Sequence, residues 1–388
     1  MKRPVYLDYH ATTPVDPRVL ETMLPFFTER FGNASSRSHA YGQAAADAVD
    51  RARADVASLI GAHHREVVFT SGATESNNLA VKGVAQASRS RGRHLVTVVT
   101  EHPSVLDSCH ALEREGWHVT RLPVGPDGLV DLARVEAVLT DATVLVSVMA
   151  ANNEIGVLQP VGEIARLAHA HGALVHTDAS QAVGRVPFDV TALGVDLCSF
   201  TAHKIYGPKG VGALYVRRAG ASFDVTAQMH GGGHERGLRS GTLNVAGIAG
   251  LARACAICRD EGAAEAARLG ALRDRLLAGL RAAIPDLRVN GSMAARLPHN
   301  LNVSVPGVDG QTLALALDGL AVSSGSACHA SKADPSPVLK ALGVEDRLAL
   351  ASIRFGLGRW TTEEEIVFAV ETVARAVDDL RGMRVHLA

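Results

Sequence analysis

Val195-Asp196-Leu197-Cys198-Ser199-Phe200-Thr201-Ala202-His203-Lys204-Ile205-Tyr206-Gly207-Pro208-Lys209-Gly210 passes from an apolar, strand-like run into small polar residues, then a lysine, then a Gly/Pro turn. A lysine at the mouth of a sheet loses its proton more readily than one on a solvated helix, and the neutral amine can hold an aldehyde cofactor as a Schiff base. The chain has six lysines against thirty-three arginines, so the candidates are few. Lys2 is terminal, Lys82 and Lys340 sit on helix-like stretches, and Lys332 lies in a polar loop; Lys209, in the same turn, is the close rival.

Outward from this stretch, short apolar runs recur at Glu66–Thr70, His94–Thr100, His118–Leu122, Thr143–Met149, Ala173–Thr177, Val195–Thr201 and Val211–Val216. Helical periodicity separates most of them, as at Val161–His171. That alternation predicts an α/β fold with a mostly parallel sheet covered on both faces, and sites in such sheets gather at the C-terminal strand ends. After Asn244 the texture changes to a long Ala/Arg/Leu-rich helical stretch reaching about Ile284. Shorter strands at Asn300–Val305, Leu320–Ser323 and Ser352–Leu357 follow, and then a final helix from about Thr362. The expected division is a large domain over 15–258 and a smaller α+β domain over 1–14 and 259–388.

Composition narrows the function. The 388 residues are 47% hydrophobic and 20% charged, ordinary for a globular enzyme, and the formal net charge of −1 offers no basic field for nucleic acid or an anionic membrane. The N-terminus lacks a long apolar region and no run reaches membrane-spanning length, so the expected location is cytoplasmic. Five cysteines, an odd and sparse set, fit a reducing compartment. Cys255 and Cys258 form a C-x-x-C inside a helical stretch without a second pair, and read as core. Among seventeen histidines, His169 with His171 and His230 with His234 have no clear third ligand, so no metal site is expected.

Ser71-Gly72-Ala73-Thr74-Glu75-Ser76-Asn77-Asn78 follows a strand and opens a helix, offering free N–H groups and the positive dipole end to a phosphate. A plain Ser/Thr cap explains the same letters. Asp178 ends the run Ala173–Thr177, one strand before Lys204, where a carboxylate keeps a pyridine nitrogen protonated; helix capping is the competing reading. Asn153 and Gln181 are candidates to hydrogen-bond a ring hydroxyl and His102 to stack on a ring face, with an ordinary packed histidine at a strand end as the competing reading of His102. In Ser323-Ser324-Gly325-Ser326-Ala327-Cys328-His329-Ala330 the cysteine lies amid small and polar residues, as expected of an exposed loop with a functional thiol, whose pKa His329 or Lys332 would lower. Arg354, on the run Ser352–Leu357, has the fork that suits a substrate carboxylate, with a surface ion pair as the alternative.

Together these motifs resemble the cysteine desulfurases, class V members of the fold-type I pyridoxal-phosphate enzymes, in the branch with a Ser-Ser-Gly-Ser-Ala-Cys loop. The resemblance runs from Tyr6-Leu7-Asp8-Tyr9-His10-Ala11-Thr12-Thr13-Pro14 through Asn152-Asn153-Glu154-Ile155-Gly156 and His230-Gly231-Gly232-Gly233-His234-Glu235-Arg236-Gly237 to Arg354. It implies a seven-stranded large domain and a small domain carrying the catalytic-cysteine loop at about 323–336. It further implies that Lys204 forms the Schiff base with pyridoxal 5′-phosphate. Ala73, Thr74, Thr201 and His203 would hold the phosphate, with Thr242 from the other subunit of a homodimer. Asp178, Asn153 and Gln181 would set the ring, and His102 would stack and assist proton transfer. Arg354 would bind L-cysteine, and Cys328 would take its sulfur as a persulfide, with transient iron–sulfur ligation also open to it. The sulfur would pass to an acceptor protein for iron–sulfur assembly or for thiolation of tRNA, DNA or metabolites. The chain stops at Val385-His386-Leu387-Ala388, where relatives carry a longer tail that docks the iron–sulfur scaffold, so a different, dedicated acceptor is also in view. An aminotransferase or selenocysteine lyase on the same scaffold would have less use for Cys328. A non-catalytic adaptor would be expected to lose Lys204, Asp178 or Cys328.

Overall fold

A computed structural model of the chain describes residues 4–220, 223–324 and 334–385. Seven of its strands form one sheet: β2 (Val67–Thr70), β3 (His94–Val98), β4 (His118–Leu122), β5 (Thr143–Ser147), β6 (Leu174–Asp178), β7 (Leu197–Thr201) and β8 (Gly212–Val216). Their order is β2-β8-β7-β6-β5-β3-β4. Neighbours from β4 to β7 are parallel, whereas β8 runs antiparallel to both β7 and β2. Five of these strands (β2, β3, β5, β7 and β8) are buried along their whole length, as both faces of a helix-covered sheet require.

The antiparallel strand has a local cause. The turn from Thr201 to Gly212 is too short for a crossover helix, so the chain folds back as a hairpin. Gly212 allows that hairpin to lie against the start of the next site element: a Cβ there would stand 2.7 Å from the Gly72 Cα.

The remaining strands are small. β9 (Arg288–Val289), β10 (Asn300–Ser304), β12 (Ser323–Ser324) and β13 (Ser352–Gly356) make an antiparallel sheet in the order β12-β13-β10-β9. β1 (Val5–Tyr6) pairs in parallel with β11 (Leu320–Ala321). The predicted single run Leu320–Ser323 is therefore divided between two sheets, and the division turns Ser323 toward Asp8, whose carboxylate accepts from its hydroxyl at 2.8 Å.

Among the described residues four buried clusters surround these sheets, and the two largest share one helix. Leu7 packs with Leu269, Leu276, Leu301, Ile353, Phe355 and Val373, whereas Val19, Phe69, Val146, Phe200 and Cys255 belong to the core beneath the large sheet. A single helix, Val245–Ala283, contributes to both. Cys109, Cys198, Cys255 and Cys258 are buried free thiols, and burial raises the pKa of each, which fits packing rather than redox chemistry. Among the described residues no helix is long and apolar enough to cross a membrane, and no three His, Cys, Asp or Glu side chains gather as metal ligands.

Candidate active site

Parallel strands deliver their C-terminal ends to one edge of the sheet, and a cavity of about 680 Å³ opens there. Ten of the predicted residues line it: Ala73, Thr74, His102, Asn153, Asp178, Gln181, Thr201, His203, Lys204 and Arg354. Thr242 is exposed, outside this chain's own cavity, and Cys328 lies outside the described residues.

Lys204 ends the 3-10 turn Ala202–Lys204 that follows β7. Its Nζ donates to the carbonyls of His10 and of Ala11, the latter at 2.8 Å. Burial, reinforced by Arg354, lowers its pKa to about 8. The turn is pinned from behind. Arg185 donates to the Lys204 carbonyl at 2.6 Å and to the Tyr206 hydroxyl at 3.1 Å. Tyr206 has a left-handed backbone, φ 65°, held by a 2.9 Å bond from its N–H to Thr13 Oγ1. Its rival Lys209 is exposed at the cavity's rim.

Asp178 is the last residue of β6 and is buried. One oxygen accepts from Asn77 Nδ2 at 2.7 Å and the other from the Ser180 N–H at 2.9 Å. Asn77 also donates to Ser104 Oγ at 2.8 Å, and Ser104 Oγ lies 2.9 Å from His102 Nδ1. His102 caps the helix Pro103–Arg114, its Nδ1 accepting from the Ser104 N–H at 3.1 Å. An accepting Nδ1 leaves the proton of the neutral ring on Nε2. The ring is open to solvent on one side yet packed closely enough that desolvation lowers its pKa.

At the opposite end the helix Ala73–Ala87 begins without a side-chain cap at Gly72, so its first N–H groups face the cavity. Thr201 and His203 flank it. The His203 pKa falls to about 4 through burial and the charges of Lys204 and Lys209, which leaves a neutral ring 3.1 Å from Thr12 Oγ1. Glu75, one turn into the helix, is taken up by Arg239 at 2.8 Å and by the Ser71 N–H.

Arg354, on β13, reaches across with Nη2 on Asp8 and Ser323 Oγ, both at 2.7 Å, and Nη1 on the Asn153 carbonyl at 3.0 Å. Three of its five N–H groups are thus engaged; Nε is buried without a partner among the described residues, and the second Nη1 N–H is the donor left for an anion. Asp8, His10, Asn77 and Ser104 are site residues that the sequence reading left without roles. Asp8, His10 and Asn77 stand in quoted motifs, but only the folded contacts give them partners.

The aminotransferase class-V family model matches residues 5–368. "Cysteine desulfurase IscS" of Anaeromyxobacter sp. (strain Fw109-5) is 58% identical over 383 residues, 99% of this chain and 95% of that protein. Among solved structures, a "NifS-like protein" superposes with a TM-score of 0.90 at 40% identity, covering 97% of this chain and 100% of that one. "SspA in complex with cysteine" superposes at 0.80 with 34% identity, covering 92% and 99%.

Proposed function

The chain belongs to the aminotransferase class-V family and, within it, to the cysteine desulfurases, and from this we infer that its cavity converts L-cysteine to L-alanine while sulfur passes to Cys328. The observation that carries this reading is the amine of Lys204, brought to about 8 and lodged with Asp178 and Arg354 in one cavity.

The residues fit pyridoxal 5′-phosphate. The uncapped helix start at Ala73 and Thr74, with Thr201 and neutral His203, supplies donors for a phosphate; Asp178 supplies a buried carboxylate; Asn153 and Gln181 supply amides. When bound, this cofactor provides an aldehyde carbon for amine exchange and a ring that accepts the electron pair of the substrate's Cα–H bond. Asp178, fixed by Asn77 and Ser180, keeps the ring nitrogen protonated. Lys204, neutral in a useful fraction, takes the Cα proton, and His102 presents Nε2–H from the ring face. Arg354, aimed by Asp8, binds the substrate carboxylate with its spare donor. The Cys328 thiolate attacks the substrate sulfur, forming an S–S bond as Cβ–S breaks, so L-cysteine and the thiol give L-alanine and a persulfide.

Cys328 is four residues beyond Ser324, next to cavity-lining Ser323, so at most ~14 Å of extended chain joins them. The persulfide is then handed to an acceptor protein of iron–sulfur assembly or of a thiolation system. Thr242 would complete the phosphate site from the second subunit of a homodimer. The division into 15–258 and 1–14 with 259–388 is supported by Leu7 packing with Leu269 and later residues. The deciding experiment measures sulfide and alanine released from L-cysteine with a thiol reductant, beside Cys328→Ser and Lys204→Ala. Both products from wild type and neither from the variants is the expected result; full activity in Cys328→Ser would overturn the sulfur-carrier role.

A further inference from the structure

His10 is fully buried, 1% exposed, and no part of the mechanism above uses its ring. The ring nonetheless sits in a chain of hydrogen bonds whose direction is forced at every link. A guanidinium only donates, so Arg296 Nη1, 3.0 Å from Asn300 Oδ1, fixes that oxygen as the acceptor. Asn300 Nδ2 is therefore the donor, as its 3.2 Å bond to the Glu154 carbonyl independently requires. The same Nδ2 lies 3.1 Å from His10 Nε2, which must accept. The neutral ring then carries its proton on Nδ1, 2.9 Å from Gln181 Oε1. At the far end Gln181 Nε2 donates to the His10 carbonyl at 3.1 Å, which a carbonyl can only accept. The two ends agree on the orientation of the amide. His299, stacked on His10 at 4.4 Å between centroids, holds the ring plane.

We propose that His10 is a positioning residue: the directed chain Arg296–Asn300–His10 turns the Gln181 amide so that a second N–H, rather than the carbonyl, faces the cofactor cavity. Resting on the cofactor reading above, this gives the ring oxygen of pyridoxal 5′-phosphate a donor at Gln181, and couples that donor to β10 of the smaller sheet. The His10 carbonyl also receives Lys204 Nζ, so one residue contacts both Gln181 and Lys204. Neutrality of the imidazole is favoured by burial and by the nearby charges of Arg354 and Lys204, which push its pKa well down.

The test compares holoprotein of wild type with His10→Asn, His10→Gln and His10→Ala. Asparagine places its N–H where Nδ1 stands and keeps the donor to Gln181; glutamine places its amide nearer Nε2 and alanine removes it. Two quantities are read: the pH midpoint of the visible absorbance of the lysine-bound cofactor, and the Kd of apoprotein for pyridoxal 5′-phosphate. A donor to the ring oxygen favours the deprotonated chromophore, so its loss moves the midpoint upward. His10→Ala and His10→Gln should shift it by about one unit and weaken binding about tenfold, while His10→Asn stays near wild type. If His10→Ala fails to fold, the Asn/Gln contrast decides. Equal midpoints in wild type and His10→Gln, or equal disturbance in Asn and Gln, would overturn the proposal. A wild type that takes up no pyridoxal 5′-phosphate, or an absorbance that survives Lys204→Ala, would instead fell the cofactor reading and this inference with it.

Discussion

The low pKa of Lys204 has a consequence measurable without substrate. Burial is the largest cause and the Arg354 guanidinium the next, and together they bring the amine from 10.5 to about 8. At pH 7.5 an amine of pKa about 8 is about one-quarter neutral, whereas one at 10.5 is neutral in only about one molecule per thousand, a ratio of about 240. The assay is reductive methylation of the apoprotein at trace reagent from pH 6 to 11, followed by peptide mass spectrometry. The extent of Lys204 modification is then read across the series. The Lys204 midpoint should fall near 8, well below the ordinary lysine value of 10.5. Arg354→Met should raise it, because the variant removes a cation and also releases the Asp8 carboxylate that Arg354 neutralises at 2.7 Å. Asp8 itself acts to raise the Lys204 pKa, so both changes point the same way. A Lys204 midpoint near 10.5 would refute the claim that the cavity desolvates this amine.

Two further predictions concern other parts of the molecule. Glu101 is buried beside Asp178, and burial first, then that negative charge, raises its carboxyl well above 4.5. The folded state keeps a proton that the unfolded chain releases near 4.5, so stability falls as pH rises from there toward the folded value. Urea melts at pH 5 and 8 should show Glu101→Gln losing less stability than wild type over that interval; equal losses would contradict it. Thr242 is tested by mixing Thr242→Ala subunits, expected to bind cofactor poorly, with Lys204→Ala subunits, expected to be inactive. If Thr242 serves the partner's cavity, the mixed dimer contains one intact site and recovers activity; no recovery would place Thr242 elsewhere.

The sheet was legible because its strands are continuous apolar runs between amphipathic stretches, and the site followed from strand ends: Asp178 closes β6, and Lys204 follows β7 by one short turn. Strand direction was less visible. Val211–Val216 is as apolar as its parallel neighbours, and only the short link from Thr201 marks β8 as the returning arm of a hairpin. The division of Leu320–Ser323 between two sheets had no periodic signal, because each part is two residues long. His10 was hardest to place. Its partners Gln181 and Asn300 lie 171 and 290 residues away, and hydrogen-bond direction depends on which atoms face each other, not on residue type. The feature open to sequence reading was a histidine between Tyr9 and Ala11, just before the small residues Ala11, Thr12 and Thr13.

Lys204 owes its environment to segments from both ends of the chain. Leu7, just past β1, packs in the smaller core, and a few residues on the backbone at His10 and Ala11 covers the amine. Behind the lysine, the Tyr206 hydroxyl accepts from Arg185 at 3.1 Å and bonds Glu265 at 3.1 Å on the long helix, while Arg359 ties Glu265 at 2.7 Å to Asp16 at 2.6 Å. Removing water from the amine therefore requires the N-terminal segment, the end of β7 and the residues after β13 to be docked at once. An ordinary surface lysine needs none of these. A loss of docking that left the large sheet intact would return Lys204 toward its usual pKa, and the amine would lose nearly all of its neutral fraction at neutral pH before any binding residue had been changed. That dependence explains why a buried ion network lies on the side of the lysine away from the cavity: its role is to hold the turn closed, and the chemistry gains by keeping water out.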